Sequence, residues 1–587
     1  MESKPPEKIS QESSPVELHQ GEELHPEHPD DYLREGERWA TEEDLATLRH
    51  VGDRFPTAAI FVLLTEFCER FTYYGVTGPF QNYIQYPRDS QSRPGAIGGG
   101  QHLATGLSNF FQFWCYLTPI LGAIVADQWL GKFKTILLFS FIYIVGDLIL
   151  TLTALPDSIR HGGALPGLVI AMITIGLGTG GIKSNVSPMV AEQYGRYRPF
   201  VRKQKGGKEV VIDRDLTVQS IFNWFYFAIN VGGLSAIATT EIEANVDFWP
   251  AYLLPTLMFV VCVAVFWLGR KKYTITNPSG SVVVKAYRVF STGLRNWRGA
   301  KRENQLVLDE QGKDIGWLHY AKPSLNTDGA AYQWSDKFVD ELRIALRACK
   351  IFLCFPVFWL CYGQMSNNMV SQSGQMNTGK VPNDILQNLD PLCIVILVPV
   401  FDRLIYPGFR RCGLELRPVT RITCGFLVAA LAMAYAAIIQ HVIYTTGPYY
   451  DAAGDGDNGF NHVSVAIQIP GYILIAISEI FASVTGLEYA YKQAPESMKS
   501  IVMSLFLLTN AGGAILAFCF NSISANPYLV ENFAIVSGLM GAFTVLFVVC
   551  FRHYDRQDVE QTKRDTVYGP AIEKTTTGFT QATSASV

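Results

Sequence analysis

The chain has 587 residues, of which 49% are hydrophobic and only 17% charged, and its mean hydropathy is +0.15. An average soluble domain carries about 25% charged residues, so the composition argues against disorder throughout and against an ordinary soluble fold. A formal net charge of −4 leaves no basic field for a phosphate backbone, which excludes nucleic acid as a partner.

In chain order, residues 1–56 are rich in Glu, Pro, His and Ser and read as a disordered N-terminal tail. Apolar runs long enough to cross a bilayer follow, at roughly 57–84, 102–126, 133–154, 165–190, 219–240 and 248–269. A mixed-charge link covers 271–345, with a helix expected near Trp334–Leu346. Six more runs lie at roughly 346–370, 386–406, 418–443, 466–492, 500–521 and 531–551, and residues 553–587 form a second polar tail. A soluble core of that many near-continuous apolar helices has no precedent in the physics of burial, so the runs are membrane spans. The predicted fold is an all-α membrane protein of twelve spans, with six-helix bundles at 57–270 and 346–552.

Lys and Arg set the orientation. Loops leaving even-numbered spans carry Lys132, Lys134, Arg196, Arg198, Arg202, Lys203, Arg270 to Lys272, Arg403, Arg410 and Arg411, whereas the opposite loops hold Glu241, Glu243 and Asp451 to Asp457. Both termini are therefore expected in the cytoplasm. The eleven cysteines fall mostly within spans, without zinc or disulfide spacing, and are expected to be small buried hydrophobes.

The loop after span two, Asp127 to Gly131-Lys132-Phe-Lys134, has an echo after span eight, Asp402 to Gly408-Phe-Arg410-Arg411. The corresponding positions suggest a duplicated transporter of the major facilitator type, with its substrate site between the halves.

Ionisable residues inside spans cost roughly 2.5–3.5 kcal/mol each on insertion scales, so they face water or a partner. Span one holds Glu66, Glu69 and Arg70 at i, i+3 and i+4, on one helix face that Tyr73, Tyr74 and Thr77 continue. A structural ion pair explains one acid, and the second is left for function. Span four carries Gly176-Leu-Gly-Thr-Gly-Gly181-Ile-Lys183. Without a preceding strand the glycines are no dinucleotide loop, and they permit close helix approach instead. Lys183 needs Glu66 or Glu69 as its counter-ion, or else snorkels to the interface. In span ten, Glu479 and Ser483 share a face, and Glu479 has no base nearby in its own span. It is protonated, meets a partner across a cavity, or binds a ligand ammonium. Asp147 is buried by pattern and has no assigned role. With Lys183 in one half and Glu479 in the other, a zwitterion is the economical substrate.

The stretch Glu66-Phe-Cys-Glu69-Arg70-Phe-Thr-Tyr73-Tyr74-Gly75 resembles the first-helix signature of the proton-coupled oligopeptide transporter family. Gly178 to Lys183, Phe225-Tyr226 to Asn230-Val-Gly232, and Glu479 through Tyr491 to Ala494-Pro495-Glu-Ser-Met498-Lys499-Ser500 agree with it in order. The tails and insertions are most similar to those of fungal members. The resemblance implies a plasma-membrane symporter importing di- and tripeptides with protons, which needs no cofactor beyond the proton and has no catalytic residues. It assigns Glu66, Glu69, Arg70 and Lys183 to proton coupling. Tyr73, Tyr74, Tyr116, Asn230, Gln364 and Phe506 would line the peptide pocket, with Lys183 and Asp390 also in reach of substrate. Glu479 and Ser483 would meet the peptide's amino end. Thr77 stands where many members have an Arg, Asn109 where animal members have a His, and Asp390 where many have Asn. A relative carrying nitrate or another small anion, or a nutrient sensor with the same fold, are the alternatives. The tails are ordinary places for turnover signals such as ubiquitination of Lys563, which makes a ubiquitin ligase an expected partner alongside membrane lipid.

Overall fold

The computed structural model describes residues 33–34, 36–90, 93–196, 198–203, 207–276, 278, 280–303, 316–325, 332–405, 408–409, 417–455, 458–493, 495 and 498–552. Both terminal segments with Lys563, the Arg410-Arg411 part of the second loop echo, and Ala494, Glu496 and Ser497 lie outside the described residues.

Among the described residues, ten helices are long and apolar enough to cross a membrane, from Gly100–Leu130 to Leu529–Phe551. The two remaining expected spans are helical as well. The first, Thr57–Thr77, carries Glu66, Glu69 and Arg70, which dilute its hydropathy. The eighth is the shorter apolar helix Ile385–Val400. The described residues therefore contain twelve helical segments where twelve spans are expected. Large apolar side chains such as Ile170, Leu257, Ile438 and Val545 stay exposed on the outer faces, as lipid contact requires. Cys68, Cys115 and Cys262 are buried as expected; Cys519 instead faces outward from its helix, where lipid suits a thiol as well as a packed core does.

Close helix approach in the first half comes from the glycines of span four. An added Cβ at Gly178 would lie 2.7 Å from Tyr143, at Gly180 2.5 Å from Thr118, and at Gly181 2.0 Å from Phe139. Only hydrogen fits there, so span four presses against spans two and three and carries Lys183 inward. The two loop echoes also share local structure. Spans two and eight both end in a π-helical turn, Ala126–Leu130 and Phe401–Ile405.

The chain divides into two compact units. The larger runs over Phe55–Gln193 and Ile221 onward and contains both bundles. The smaller joins the described residues up to Arg54 with Tyr194–Ser220. Its core is a four-stranded sheet in the order β1-β3-β4-β2, with β1 Glu37–Trp39, β2 His50–Val51, β3 Phe200–Lys203 and β4 Glu209–Ile212. β3 and β4 form an antiparallel pair, with Val201 opposite Val211. Phe200, Val210 and Ile212 bury against Leu33 and Val51. Composition alone reads residues 33–54 as tail because these strands are short, charged, and completed by partners about 160 residues away in sequence.

Among the described residues the link forms the α-helices Val282–Arg302 and Asp336–Ala348, the second near the expected Trp334–Leu346. Val289, Leu318, Leu342 and Ala345 join the same core as Phe355, Phe426 and Phe547 of the second half.

Candidate functional site

Span one presents its charged face inward. Glu66, Glu69 and Arg70 are only 5%, 0% and 5% exposed. Arg70 Nε lies 3.2 Å from Glu66 Oε1 and 2.5 Å from Glu69 Oε2, so both acids converge on one edge of the guanidinium. Glu69 Oε1 and Arg70 Nη2 have no hydrogen-bond partner among the described residues. Span five comes close here because it has no side chain at Gly232, where a Cβ would sit 2.8 Å from that of Arg70.

Lys183 departs from the expected ion pair. Its Nζ sits 3.5 Å from the centre of the Tyr116 ring, a cation–π contact, while both carboxylates of span one are engaged by Arg70. Arg70 itself stands 5.3 Å from the Tyr73 ring. The ammonium is thus close to the acids without being bound to either.

The second half brings its own acids together. Tyr362 donates to Asp390 Oδ2 at 3.0 Å and also reaches Glu479, and the two carboxyl groups lie near enough to influence each other. Asp390 Oδ1 and Glu479 Oε2 have no hydrogen-bond partner among the described residues. Glu479 ends the helix Ile469–Glu479 and is followed by a π-helical turn, Ile480–Val484, which contains Ser483. π-Helical turns re-aim side chains and occur frequently at functional sites. Tyr74, Tyr116 and Tyr226 of the first half come within electrostatic reach of Glu479. The acidic group of one half therefore looks across phenols toward the Arg70–Lys183 group of the other.

The other expected residues have partners of their own. Asn230 donates to the Tyr226 carbonyl one turn back. Gln364 donates to the Leu360 carbonyl and accepts from Asn368 at 2.7 Å and Asn532 at 3.2 Å, within its own bundle. Phe506 packs among Phe352, Phe355 and Trp359 in the core. The Thr77 hydroxyl donates to the Tyr73 carbonyl. Sequence reasoning missed Tyr362 and Tyr226. A neutral phenol inside an apolar helix gives no signal of its own, although Tyr226 stands within a motif quoted above.

At the end where span one finishes and span two begins, the halves are tied together. Gln81 donates to Ser371 at 2.9 Å, Gln112 to Asn510 at 2.8 Å, Gln387 to the Gly78 carbonyl at 3.2 Å, and Asn367 to Asn109 at 3.2 Å. Arg93 reaches across to the Met376 carbonyl at 2.9 Å. This end is closed.

The sequence profile of the POT family matches residues 133–536. The chain belongs to the POT family. The chain is 45% identical over 539 residues to the probable peptide transporter ptr2 of Schizosaccharomyces pombe, covering 91% of this chain and 84% of that one. It is 46% identical to the peptide transporter PTR_C of Candidozyma auris, covering 90% of each. The crystal structure of the POT family transporter PepTSo superposes with a TM-score of 0.66 at 24% identity, covering 86% of this chain and 99% of that one. This POT-family chain thus shares the transporter fold over nearly its whole membrane-spanning length.

Proposed function

We propose that the protein is a symporter that imports di- and tripeptides together with protons by alternating access. The observation that carries this is the division of charge at the centre: Arg70 with Lys183 in one half, Glu479 with Asp390 in the other. A zwitterion lying between them puts its carboxylate toward Lys183 and its ammonium toward Glu479, and replaces the water each group loses. Two acids with no cation paired to them among the described residues suit a ligand bearing an ammonium and give a lone anion nothing to bind. The curated relatives named as peptide transporters support the same reading.

Proton coupling is assigned to Glu66, Glu69, Arg70 and Lys183. Two carboxylates compete for one guanidinium, and Lys183 stands ready as a second partner. Protonation of Glu66 frees part of Arg70, and the group re-pairs. Tyr73, Tyr74, Tyr116 and Tyr226 form the polar wall along which a peptide backbone donates and accepts. No cofactor enters this scheme, and the proton is the coupling ion. The orientation follows from the basic loops: both termini in the cytoplasm, the tied end outward, and the plasma membrane as the site of uptake. The terminal segments are the place where a ubiquitin ligase would act.

The test is uptake of a labelled dipeptide by a transport-deficient cell expressing the full chain, in acidic and in mildly alkaline buffer, with and without an uncoupler. Uptake is expected to rise in acid, to accumulate peptide above the outside concentration, and to collapse with the uncoupler. Uptake that is absent, or flat with pH and indifferent to the uncoupler, removes the proposal.

A further inference from the structure

Two carboxyl groups outside the charged centre meet at the closed end. Glu243 lies near the end of the fifth span and Asp384 just before the eighth, and they are 3% and 0% exposed. One belongs to each half, and the two side chains are within hydrogen-bonding reach of each other. Asn82 Nδ2 donates to Glu243 Oε1 at 2.9 Å. Glu243 Oε2 and both oxygens of Asp384 receive no hydrogen bond from any described donor. Asn82 and Asn383, which sit beside the pair, are committed to each other by reciprocal amide bonds of 2.9 Å.

The other charged and titratable groups around the pair do not neutralise it. Arg93 spends its guanidinium on the Gly374 and Met376 carbonyls and on Thr378, and it acts on Asp384 only from a distance. Arg88 is held by Asp247 at 2.7 Å. Glu241 adds negative charge near Asp384. Tyr252 and Tyr472 face the pair as neutral phenols.

An ionised carboxylate only accepts hydrogen bonds. Two of them in contact and out of water repel, and a single proton turns one into the donor that the other lacks. We propose that Glu243 and Asp384 bind one shared proton and act as a latch between the halves: the proton closes this end, and its loss sets two facing anions that drive it open. Burial pushes the Asp384 carboxyl up to about 7, so the latch works near neutral pH. The direction of its use rests on the proposed import of peptide with protons. A proton arriving from outside closes the outer end behind the loaded substrate.

The experiment places spin labels on Arg160→Cys and Tyr528→Cys, both exposed at this end, in a chain whose eleven native cysteines are replaced by Ser or Ala. The full chain is purified into lipid nanodiscs, and the distance is measured across neutral pH without substrate. In the otherwise unaltered chain the ratio of long to short distances is expected to rise with pH by up to about tenfold per unit, the slope of one proton. In Asp384→Asn the amide donates to Glu243 without a proton, so the short distance persists and the slope disappears; Glu243→Gln is the second, independent version. A wild-type slope in either folded variant, a flat response in the parent, or a response that follows sodium or calcium concentration at fixed pH overturns the latch. Uptake that fails while the slope is present sinks the transport reading and leaves the latch, and intact uptake without the slope does the reverse.

Discussion

Two arginine–carboxylate networks in this chain are built from the same groups and differ in balance. In the small unit, Arg196 and Arg202 answer Glu37 and Asp53: Arg196 Nη1 to Glu37 at 2.9 Å, Arg202 Nη2 to Glu37 at 2.8 Å, and Arg202 Nη1 to Asp53 at 2.6 Å. Tyr194 adds a hydroxyl to Asp53. Two bases meet two acids, and the network fixes a sheet. In span one, two acids share one guanidinium edge, with an oxygen and a guanidinium nitrogen left over and the nearby Lys183 held by a ring instead. A balanced network gains nothing by rearranging. An unbalanced one has neighbouring arrangements of similar energy, and a proton or a ligand charge chooses among them.

The largest expected effect breaks the unbalanced network. Glu66→Gln removes the second acid, so Arg70 pairs with Glu69 alone, and uptake against a gradient is lost while exchange of peptide across the membrane persists. Concentrative uptake at the parent rate by this variant would refute its place in coupling. Next, Glu479→Gln removes the anion proposed to meet the peptide's ammonium. A hydrogen bond between charged groups contributes about 1.5–3 kcal/mol, so dipeptide affinity should fall about 10- to 100-fold, read by binding to the purified protein. Unchanged affinity would move the amino end elsewhere.

The balanced network should answer differently. Arg202→Ala leaves Glu37 and Asp53 short of donors and is expected to destabilise the sheet by about 1–3 kcal/mol, seen as faster hydrogen exchange of the β1 and β3 amides. Burial alone would raise Glu37 and Asp53, but the Arg34 amide at Glu37 and Arg202 at both outweigh it and hold both carboxyls below their ordinary values. Their contribution is therefore present at neutral pH and fades as pH falls through the depressed values. His50 gives the smallest and opposite effect. Its bond to Asp213, helped by the Leu45 carbonyl, raises it above its ordinary 6.5. That contribution is complete below the unfolded value and is lost as pH rises through the folded one, so protection of β2 should decline slightly as pH rises through the raised value and be insensitive to pH in His50→Gln.

Much was legible in the sequence because membrane insertion makes its demands locally. A span must be apolar for about 20 residues, so the twelve segments announce themselves, and an ionisable residue within one stands out against that background. Glu66, Glu69, Arg70, Lys183 and Glu479 could be singled out this way, and the glycines of span four could be understood as contact points. The loop echo has a local counterpart in the structure, since both segments are π-helical turns. What stayed hidden depends on residues far apart in the chain. The sheet of the small unit needs strands from both sides of four spans, each too short to show a pattern alone. That Lys183 rests on Tyr116, that Gln364 is spent on Asn532, and that Tyr362 joins Asp390 to Glu479 are outcomes of helix rotation and packing. Local sequence decides which residues cannot face lipid; only the folded bundle decides which of them face each other, because that choice is made by all the helices at once.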